Sequence, residues 1–265
     1  MKRQFTAIMF LILATALTCC KDSNHTQRPS VIEFDSIAID TVATLTSDMN
    51  APQCILKLDI KIAKGEHAQQ INDSLIRSGI LVPDYLSLTT MSLSPKEAVD
   101  SFVKRYINDY REFYTPIFQK EANKAYGQLF FEVTTKTQGG KEGITNYIAN
   151  ISIISGEQNT EYTLVKNIDE RSGKILSLSD ILDDGSESAV GAVILKQLGK
   201  QEDKSTDDLL QEGFFASRDA YPSHNFLLNE NGITFIYISG EIANRLKGEI
   251  HVDVEYSDLK KWLKI

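Results

Sequence analysis

The chain has 265 residues, 28 of them basic and 36 acidic, and its formal net charge at pH 7 is −8. This acidic balance argues against binding to nucleic acid and against adhesion to anionic lipid, and it favours a basic partner. The length and the 42% share of hydrophobic residues are enough for one large core or two small ones.

The N-terminus has the pattern of an export signal. Lys2 and Arg3 are followed by an uncharged, largely apolar run from Phe5 to Leu17. This run is too short to span a bilayer core about 30 Å thick, but it has the length of the apolar region of a signal peptide. We therefore predict that the chain is exported.

The end of this run, Leu17-Thr18-Cys19-Cys20, resembles the lipobox of bacterial lipoproteins. The resemblance implies cleavage before a cysteine that carries lipid on its thiol. It thus implies an envelope protein anchored to a bacterial membrane, with its domain outside the cytoplasm. We predict lipidation at Cys20, because Leu17 then lies three residues before it; Cys19 is the second choice. Residues 1–19 would be the signal peptide and residues 20–30 a polar tether. An ordinary secretory signal with incidental cysteines is the alternative.

Cleavage at Cys20 removes Lys2 and Arg3 from the 28 basic residues, so the mature chain has a net charge of about −10. It keeps Cys54 as its only free thiol, and no internal disulfide is expected despite export. Because Cys54 lies in a strand-like apolar run, we expect a small buried hydrophobic residue rather than a nucleophile.

Two strands and a helix are predicted next. Val31–Ile39 and Ala51–Ile62 have the alternation of strands. Gly65–Ser78 is helical in pattern, with Gly79 as its stop signal.

The clearest helix begins at Ser94-Pro95, where Glu97 completes a capping box. It continues to about Phe118, and Pro116 is expected to end or kink it. Its apolar stripe, typical of a core-facing helix, comprises Val99, Phe102, Val103, Tyr106, Tyr110, Phe113 and Ile117.

A hairpin is predicted from Gly127–Thr135 and Ile144–Ile154 around the glycine turn at 138–141. In the second arm, Tyr147, Ala149, Ile151 and Ile153 alternate with the polar residues Asn146, Asn150 and Ser152. Glu161–Ile168 forms the next strand, and Gln201–Gln211, with Asp207 and Asp208, is interpreted as a solvated polar connection.

The last forty residues indicate a compact strand-rich unit. Asn231-Gly232 follows Phe226–Leu228 and predicts a tight hairpin. Both central positions of such a turn need positive φ, and Asn and Gly tolerate it. Residues 250–256 alternate strictly between apolar and polar, as in a half-buried strand. Ser257 is expected to cap a short helix that buries Leu259, Trp262 and Leu263.

Strands cluster around helices rather than alternating with them. We therefore predict an α+β fold with antiparallel sheets, two or three packing helices and two subdomains, which comprise residues 31–164 and 165–265.

The second subdomain resembles the RsiV-like C-terminal domain, a family of extracytoplasmic modules. The resemblance begins with the strand, Gly-Lys turn and helix start of residues 166–182 and covers roughly the last hundred residues. It resumes at Asn231-Gly232-Ile233, Tyr237, Glu241-Ile242-Ala243, Gly248 and the segment 254–259. In the first half, Ile71-Asn72 is the only recognisable trace of the domain that usually precedes this one.

Members of this family include an anti-sigma factor whose outer domain binds lysozyme, and a region attached to a peptidoglycan deacetylase. The chain departs from the family pattern in three places. Ser239-Gly240 and Asn244-Arg245 stand where the family has Pro-Tyr, and residues 156–159 replace a Gly-Gly-Ala-His segment. The resemblance therefore does not identify a particular partner.

Two clusters of polar residues are candidate sites. His251, Asp253 and Glu255 share one face of a strand and could chelate a metal, but the solvent face of an amphipathic strand explains them better. An acidic group around Gly185 lacks the spacing of a calcium loop and fits a helix start and a loop; it comprises Asp180, Asp183, Asp184 and Glu187. We predict no metal, no cofactor and no catalytic residue.

The leading hypothesis is a non-enzymatic envelope lipoprotein that binds a protein or cell-wall ligand. A cationic lysozyme is a candidate, because opposite charge would speed its association. The alternative is an envelope hydrolase that acts on glycan or peptide through a pair of carboxyl groups, one of them with a raised pKa.

Overall fold

The computed structural model of the protein describes residues 30–48, 50–85, 93–121, 127–216 and 218–265. The strands are β1 (Phe34–Thr44), β2 (Gln53–Ala63), β3 (Leu129–Gly139), β4 (Ile144–Ser155), β5 (Gln158–Asp169), β6 (Ile175–Leu176), β7 (Phe226–Leu228), β8 (Gly232–Tyr237) and β9 (Ile250–Glu255). The helices are α1 (Ala68–Ile76), α2 (Pro95–Glu121), α3 (Leu178–Ile181), α4 (Glu187–Glu202), α5 (Thr206–Gln211) and α6 (Tyr256–Leu259), with a 3-10 turn over Arg245–Lys247.

Strands β1 to β6 form one sheet in chain order, and β7 to β9 form a second. Every neighbouring pair is antiparallel except β2 and β3. This pair is parallel because the crossover between the two strands, which contains α1 and α2, returns the chain to the same end of the sheet. The predicted α+β class with antiparallel sheets is confirmed.

One face of the six-stranded sheet packs against α1 and α2. Leu56 on β2 and Phe131 on β3 have no exposed area in this core. The ring centroid of Phe102 on α2 lies 5.8 Å from that of Phe131. Cys54 lies in the same core and is also fully buried, as predicted. Large apolar side chains from both layers therefore stabilise the sheet by burial.

Helix α2 differs from the prediction in two respects. It continues through Pro116 to Glu121, so Pro116 does not end it. Phe113, expected in the core, is 64% exposed. The buried residues instead recur every four residues. Because a turn has 3.6 residues, each such step moves the stripe about 40° around the helix axis. This stripe comprises Phe102, Tyr106, Tyr110, Tyr114 and Phe118.

The second sheet packs one face against α4. Val190, Ile194 and Leu198 follow each other at four-residue intervals along α4 and are buried. They meet Phe235 and Val252, which have no exposed area on β8 and β9. This second core gives the C-terminal part of the chain its own apolar interior.

The end of the chain closes the second core. Leu263 forms an isolated β-bridge with Leu182. Helix α6 follows Glu255, whose side chain makes no capping bond, so the prediction that Ser257 caps this helix is wrong. The Ser257 hydroxyl instead donates to the Glu255 carboxylate at 3.1 Å.

The hairpin predicted between β7 and β8 is present, but its turn has a different geometry. The Asn229 N–H donates to the Gly232 carbonyl at 2.9 Å, which makes Glu230 and Asn231 the central residues. Neither Asn231 nor Gly232 has positive φ. Glycine is required at 232 because a Cβ there would lie 2.3 Å from the carbonyl oxygen of Val254 on β9.

The segment 187–211 is more helical than predicted. Gln201–Gln211, interpreted as a polar connection, contains the end of α4 and all of α5. The Ser205 hydroxyl oxygen accepts the Asp208 N–H at 3.1 Å, and the hydroxyl donates to the Asp208 carboxylate at 2.6 Å. This capping box begins α5, and Asp207 and Asp208 are exposed, as expected for polar residues.

Strand β4 is buried on both faces along its first half. Tyr147 and Ala149 have no exposed area and belong to the first core. Ile144 belongs to the second core, and Asn146 on the same face is fully buried despite its place among the polar residues of the alternation. The two cores therefore share this strand. The predicted boundary between residues 164 and 165 falls inside β5.

Candidate binding surface

The second sheet covers only one end of the remaining face of the six-stranded sheet. There, Ile236 and Leu227 pack against Ile148 and Val165. We call the part of this face beyond that contact the open face. It comprises Ala38, Asp40, Val42, Ile55, Lys57, Asp59, Phe130, Glu132, Thr134, Asn150, Ser152 and Ile154.

An apolar row crosses four strands at the far end of the open face. The strand register places Val42 beside Ile55, Ile55 beside Phe130, and Phe130 beside Ile154. Val42 is 53% exposed and Ile154 is 37% exposed, while the two residues between them are half-buried. An exposed apolar patch rimmed by polar residues is typical of an interaction site.

A charged row lies next to the apolar row. Asp40 is beside Lys57, Lys57 beside Glu132, and Glu132 beside Ser152 in the register of the sheet. Because the signs of charge alternate, this row favours neither a simple anion nor a simple cation. It fits a polar surface with mixed hydrogen-bonding and charged groups.

The second sheet forms one wall of the open face. The Glu249 carboxylate accepts the backbone N–H of Thr163 on β5 at 2.6 Å, and its other oxygen lies 2.6 Å from Nε2 of His251. Burial pushes the pKa of Glu249 upwards, but the hydrogen bonds from His251 and Thr163 outweigh it and leave that pKa lowered. Glu249 is thus held as a carboxylate that joins the two sheets.

Polar side chains bind the free backbone groups of three strand edges. On β7, Asn167 donates to the Phe226 carbonyl at 2.8 Å and accepts the Leu228 N–H at 2.9 Å. Asn146 donates to the Leu228 carbonyl at 3.0 Å. Side-chain amides can replace a missing strand because each has both a donor and an acceptor. We call such side chains edge caps.

The other two edges are capped in the same way. Asn225 accepts the Val165 N–H at 2.8 Å and donates to the Thr163 carbonyl at 2.6 Å, so it caps β5 beside Glu249. Gln201 on α4 donates to the His251 carbonyl at 3.2 Å and accepts the N–H of Asp253, and so caps β9. Sequence analysis missed these residues; their one signal was an amide within an otherwise apolar strand, as at position 146.

Asn72 has a related role in the first core. It accepts the Ala63 N–H at 2.7 Å and donates to the Ala63 carbonyl at 3.0 Å. The pairing of β2 with β3 ends at Asp59 and Thr134, so the amide of Asn72 on α1 satisfies the end of β2 where β3 has diverged. This gives a structural reason for the amide in the Ile71-Asn72 pair.

Residues 179–257 match a family model described as "Protein of unknown function (DUF3298)". The chain carries a DUF3298 domain. The match lies within residues 165–265, the part that resembles the RsiV-like domain, and it includes α4, the second sheet and the wall of the open face.

Two solved structures of DUF3298 family proteins have the same fold. One, from Bacteroides fragilis, is 21% identical with a TM-score of 0.77, and the match covers 90% of this chain and 96% of that one. The other, from Pseudomonas aeruginosa, is 14% identical with a TM-score of 0.58, and the match covers 88% and 95% of the two chains. No curated protein matches the chain significantly.

Within the DUF3298 domain, the candidate metal ligands each have another partner. His251 bonds to Glu249, Asp253 accepts the Thr234 hydroxyl at 2.5 Å, and Glu255 accepts from Ser257. His251, Asp253 and Glu255 are all exposed. In the part of the chain that the structure describes, no group of three or more His, Cys, Asp or Glu side chains could hold a metal ion. The arrangement is that of a solvent face, the favoured interpretation.

The acidic group at the start of the DUF3298 domain is a helix start and a loop, as predicted. Asp180 accepts the Ser177 N–H at 2.9 Å and caps α3. Asp184 pairs with Lys264 at 3.0 Å, and Glu187 is the first residue of α4. Asp180, Asp184 and Glu187 thus each belong to a helix start or to a loop contact.

Asp180 should make stability depend on pH. Lys174 donates to its carboxylate at 2.5 Å and, together with Ser177, lowers the pKa of Asp180 to about 2. Because the folded pKa is depressed, the stabilisation is fully present above about pH 4 and is lost as the pH falls through about 2.

We expect Asp180→Asn to reduce the free energy of unfolding by about 1 kcal/mol at neutral pH, after allowance for solvent screening, and to have a much smaller effect near pH 2. Urea denaturation across this pH range measures the difference. Asp184→Asn is the control, because Asp184 is 91% exposed and should change little. Equal effects of the two changes at all pH values would contradict the role of Asp180.

The predicted lipidation site, Cys20, and its alternative, Cys19, lie outside the described residues, as do the predicted signal peptide and most of the tether. Cys54 lies inside them, and burial raises its pKa to about 12, which disfavours the reactive thiolate. No helix among the described residues has the length and apolar character needed to cross a membrane.

The hydrolase hypothesis required a carboxyl group with a raised pKa beside a second carboxyl. The described carboxyl groups whose pKa clearly departs from its ordinary value are all lowered; they are Asp35, Glu97, Asp169, Asp180, Asp208 and Glu249. These shifts give the hydrolase hypothesis no support.

Proposed function

We propose that this protein is an envelope lipoprotein, anchored through lipid on Cys20, that acts as a non-catalytic binding module for a protein or cell-wall ligand. Its DUF3298 domain carries a family description without a function, so the proposal rests on the surface of the molecule. The observation that carries it is the open face, where an exposed apolar row lies beside a charged row.

The open face has the composition of a protein-binding surface. Val42 and Ile154 supply exposed apolar area, and the half-buried ring of Phe130 lies between them. Apolar residues at the centre of a contact, surrounded by polar ones that exclude water, are the usual source of binding energy. Glu249 and Asn225 join this face to the second sheet, so a ligand would meet a rigid surface.

The charge of the chain favours a basic ligand. The formal net charge of −8 would attract a cationic protein from a distance and raise its association rate at low ionic strength. Lysozyme has the required charge, and the resemblance to the RsiV-like family favours it as the first protein to test. Peptidoglycan is the cell-wall ligand to test beside it, and the charge argument does not apply to it.

The test is a calorimetric titration of residues 30–265 with lysozyme at low and at physiological ionic strength. We expect binding that weakens as salt is added. Ile154→Asp should weaken binding about tenfold, because it places a charge in the apolar row. Leu246→Asp is the matched control: Leu246 is 96% exposed but lies on the 3-10 turn, outside the open face.

Absence of association with lysozyme at low salt, together with absence of co-sedimentation with purified peptidoglycan, would refute the proposed binding. Equal weakening by Ile154→Asp and Leu246→Asp would refute the role of the open face. Turnover of glycan or peptide substrates by the purified chain would refute the non-catalytic assignment.

A further inference from the structure

The outer edge of β1 differs from the other strand edges. The backbone N–H of Lys64 donates to the Glu33 carbonyl at 2.8 Å, and the backbone N–H of Leu45 donates to the Pro52 carbonyl at 2.9 Å. Odd-numbered residues of β1 therefore direct their backbone groups towards β2. Since these groups alternate along an antiparallel strand, the even-numbered residues direct theirs outwards. β1 is the first strand of its sheet, so this side has no neighbouring strand among the described residues.

Both ends of this edge are closed by side chains. The Asp35 carboxylate accepts the outward N–H of Ser36 at 2.9 Å, and Arg111 donates to the outward carbonyl of Thr44 at 3.3 Å. Between them, the backbone groups of Ala38, Asp40 and Val42 have no hydrogen-bond partner in the described part of the chain.

Side chains cap most of the other strand edges in the described part of the chain. Asn146 and Asn167 cap β7, Asn225 and Glu249 cap part of β5, and Gln201 caps β9. Proteins normally prevent strand addition at an edge by a short strand, by lysine or proline, or by a bulge. β1 has none of these features: it has eleven residues, contains no lysine or proline, and pairs with β2 without a bulge. The middle of β1 is thus suited to pair with another strand.

We propose that β1 pairs antiparallel with β1 of a second copy of this chain, with Ile39 on the two-fold axis. The two six-stranded sheets would then form one continuous sheet, and the open faces of both copies would lie on the same side of it. This inference goes beyond the proposed ligand binding and does not depend on it.

The side chains of β1 select this register. Three registers pair uncapped residues with uncapped residues; they are centred on Asp40, on Ile39 and on Thr41. The last of these would place Asp40 opposite the apolar Val42 and Thr41 opposite Thr41, a pair that buries less apolar area than two Ile39 side chains. The first would place the two Asp40 carboxylates directly opposite each other, which is destabilising. The second places Asp40 opposite Ala38 of the second copy. It also places Ile39 opposite Ile39 in a pair without hydrogen bonds, where the side chains of neighbouring strands come closest.

Disulfide trapping in the full chain tests this pairing. In the proposed register the two Ile39 Cα atoms are about 4.5 Å apart, within the range that a disulfide spans. The two Val42 Cα atoms are about 20 Å apart, beyond that range. Isolated bacterial envelopes that contain Ile39→Cys should give a covalent dimer under mild oxidation by copper phenanthroline. Val42→Cys, and the parent chain with its own cysteines, should give several-fold less.

A second pair of variants leaves Ile39 in place. Ala38 and Asp40 are both exposed, so Ala38→Cys and Asp40→Cys should not disturb the core. When co-expressed, the two variants should form a mixed disulfide dimer. Failure of both the Ile39 and the mixed experiment to exceed Val42→Cys would overturn the pairing. A dimer formed mainly by Asp40→Cys alone would overturn the register.

Discussion

Replacing Gly191 with alanine is expected to destabilise the second core by about 3 kcal/mol or more, although alanine is the better helix former by about 1 kcal/mol. A Cβ at position 191 of α4 would lie 1.8 Å from the carbonyl oxygen of Ala220 and 3.0 Å from the N of Tyr221. This backbone cannot move away cheaply, because the Tyr237 hydroxyl donates to the Tyr221 carbonyl at 2.5 Å. Thermal denaturation should show a midpoint lower by about 10 °C.

The control for this change is Ser188→Ala in the same helix. Ser188 is exposed, so the substitution should be neutral or slightly stabilising. A melting temperature for Gly191→Ala as high as that for Ser188→Ala would contradict the close approach of α4 to residues 220 and 221.

The second large effect is expected for Asn167→Ala. Asn167 is 1% exposed and binds the Phe226 carbonyl and the Leu228 N–H through one amide group. Its removal leaves a buried donor and a buried acceptor without partners, each of which costs about 1–3 kcal/mol. We expect a loss of about 3 kcal/mol in the free energy of unfolding, measured by urea denaturation. The amide hydrogen of Leu228 should also exchange faster with solvent.

Asn150→Ala provides the matched comparison, because Asn150 on β4 lies on the same face of the six-stranded sheet as Asn167 but is exposed. Asn150→Ala should change the free energy of unfolding by no more than about 0.5 kcal/mol. A loss for Asn167→Ala no larger than that for Asn150→Ala would show that the edge cap on β7 does not stabilise the contact between the two sheets.

Elements with strong local signals could be predicted from the sequence. α2 begins at Pro95, with Ser94 and Glu97 bonded as the capping box requires. The β3–β4 hairpin is present, although its turn lies at 140–143 rather than at 138–141, and β9 alternates as expected. In these segments local propensity and tertiary packing favour the same structure, so the pattern is sufficient.

Features that depend on contacts distant in sequence could not be predicted. Gly232 signals a turn with positive φ, but its absence of a Cβ is required by β9, more than twenty residues away. Phe113 has the spacing of a core residue, yet the buried stripe of α2 passes through Tyr114. Asn146 and Asn167 look like polar strand residues until the position of β7 is known.

The candidate surface was hidden for the same reason. Its apolar row combines single residues from four strands, each of which follows an ordinary alternation in its own strand. Only the register of the sheet places Val42, Ile55, Phe130 and Ile154 side by side. The prediction of a non-catalytic binding module could therefore not include the residues that would bind.

The double burial of β4 has a consequence for how the protein melts. Tyr147 on β4 packs in the first core and Ile144 on the same strand packs in the second. Unfolding of either core would therefore displace β4 and disrupt the other core. A scanning calorimeter would record one cooperative heat-absorption peak, and the halves on either side of residue 164 would not be autonomous folding units.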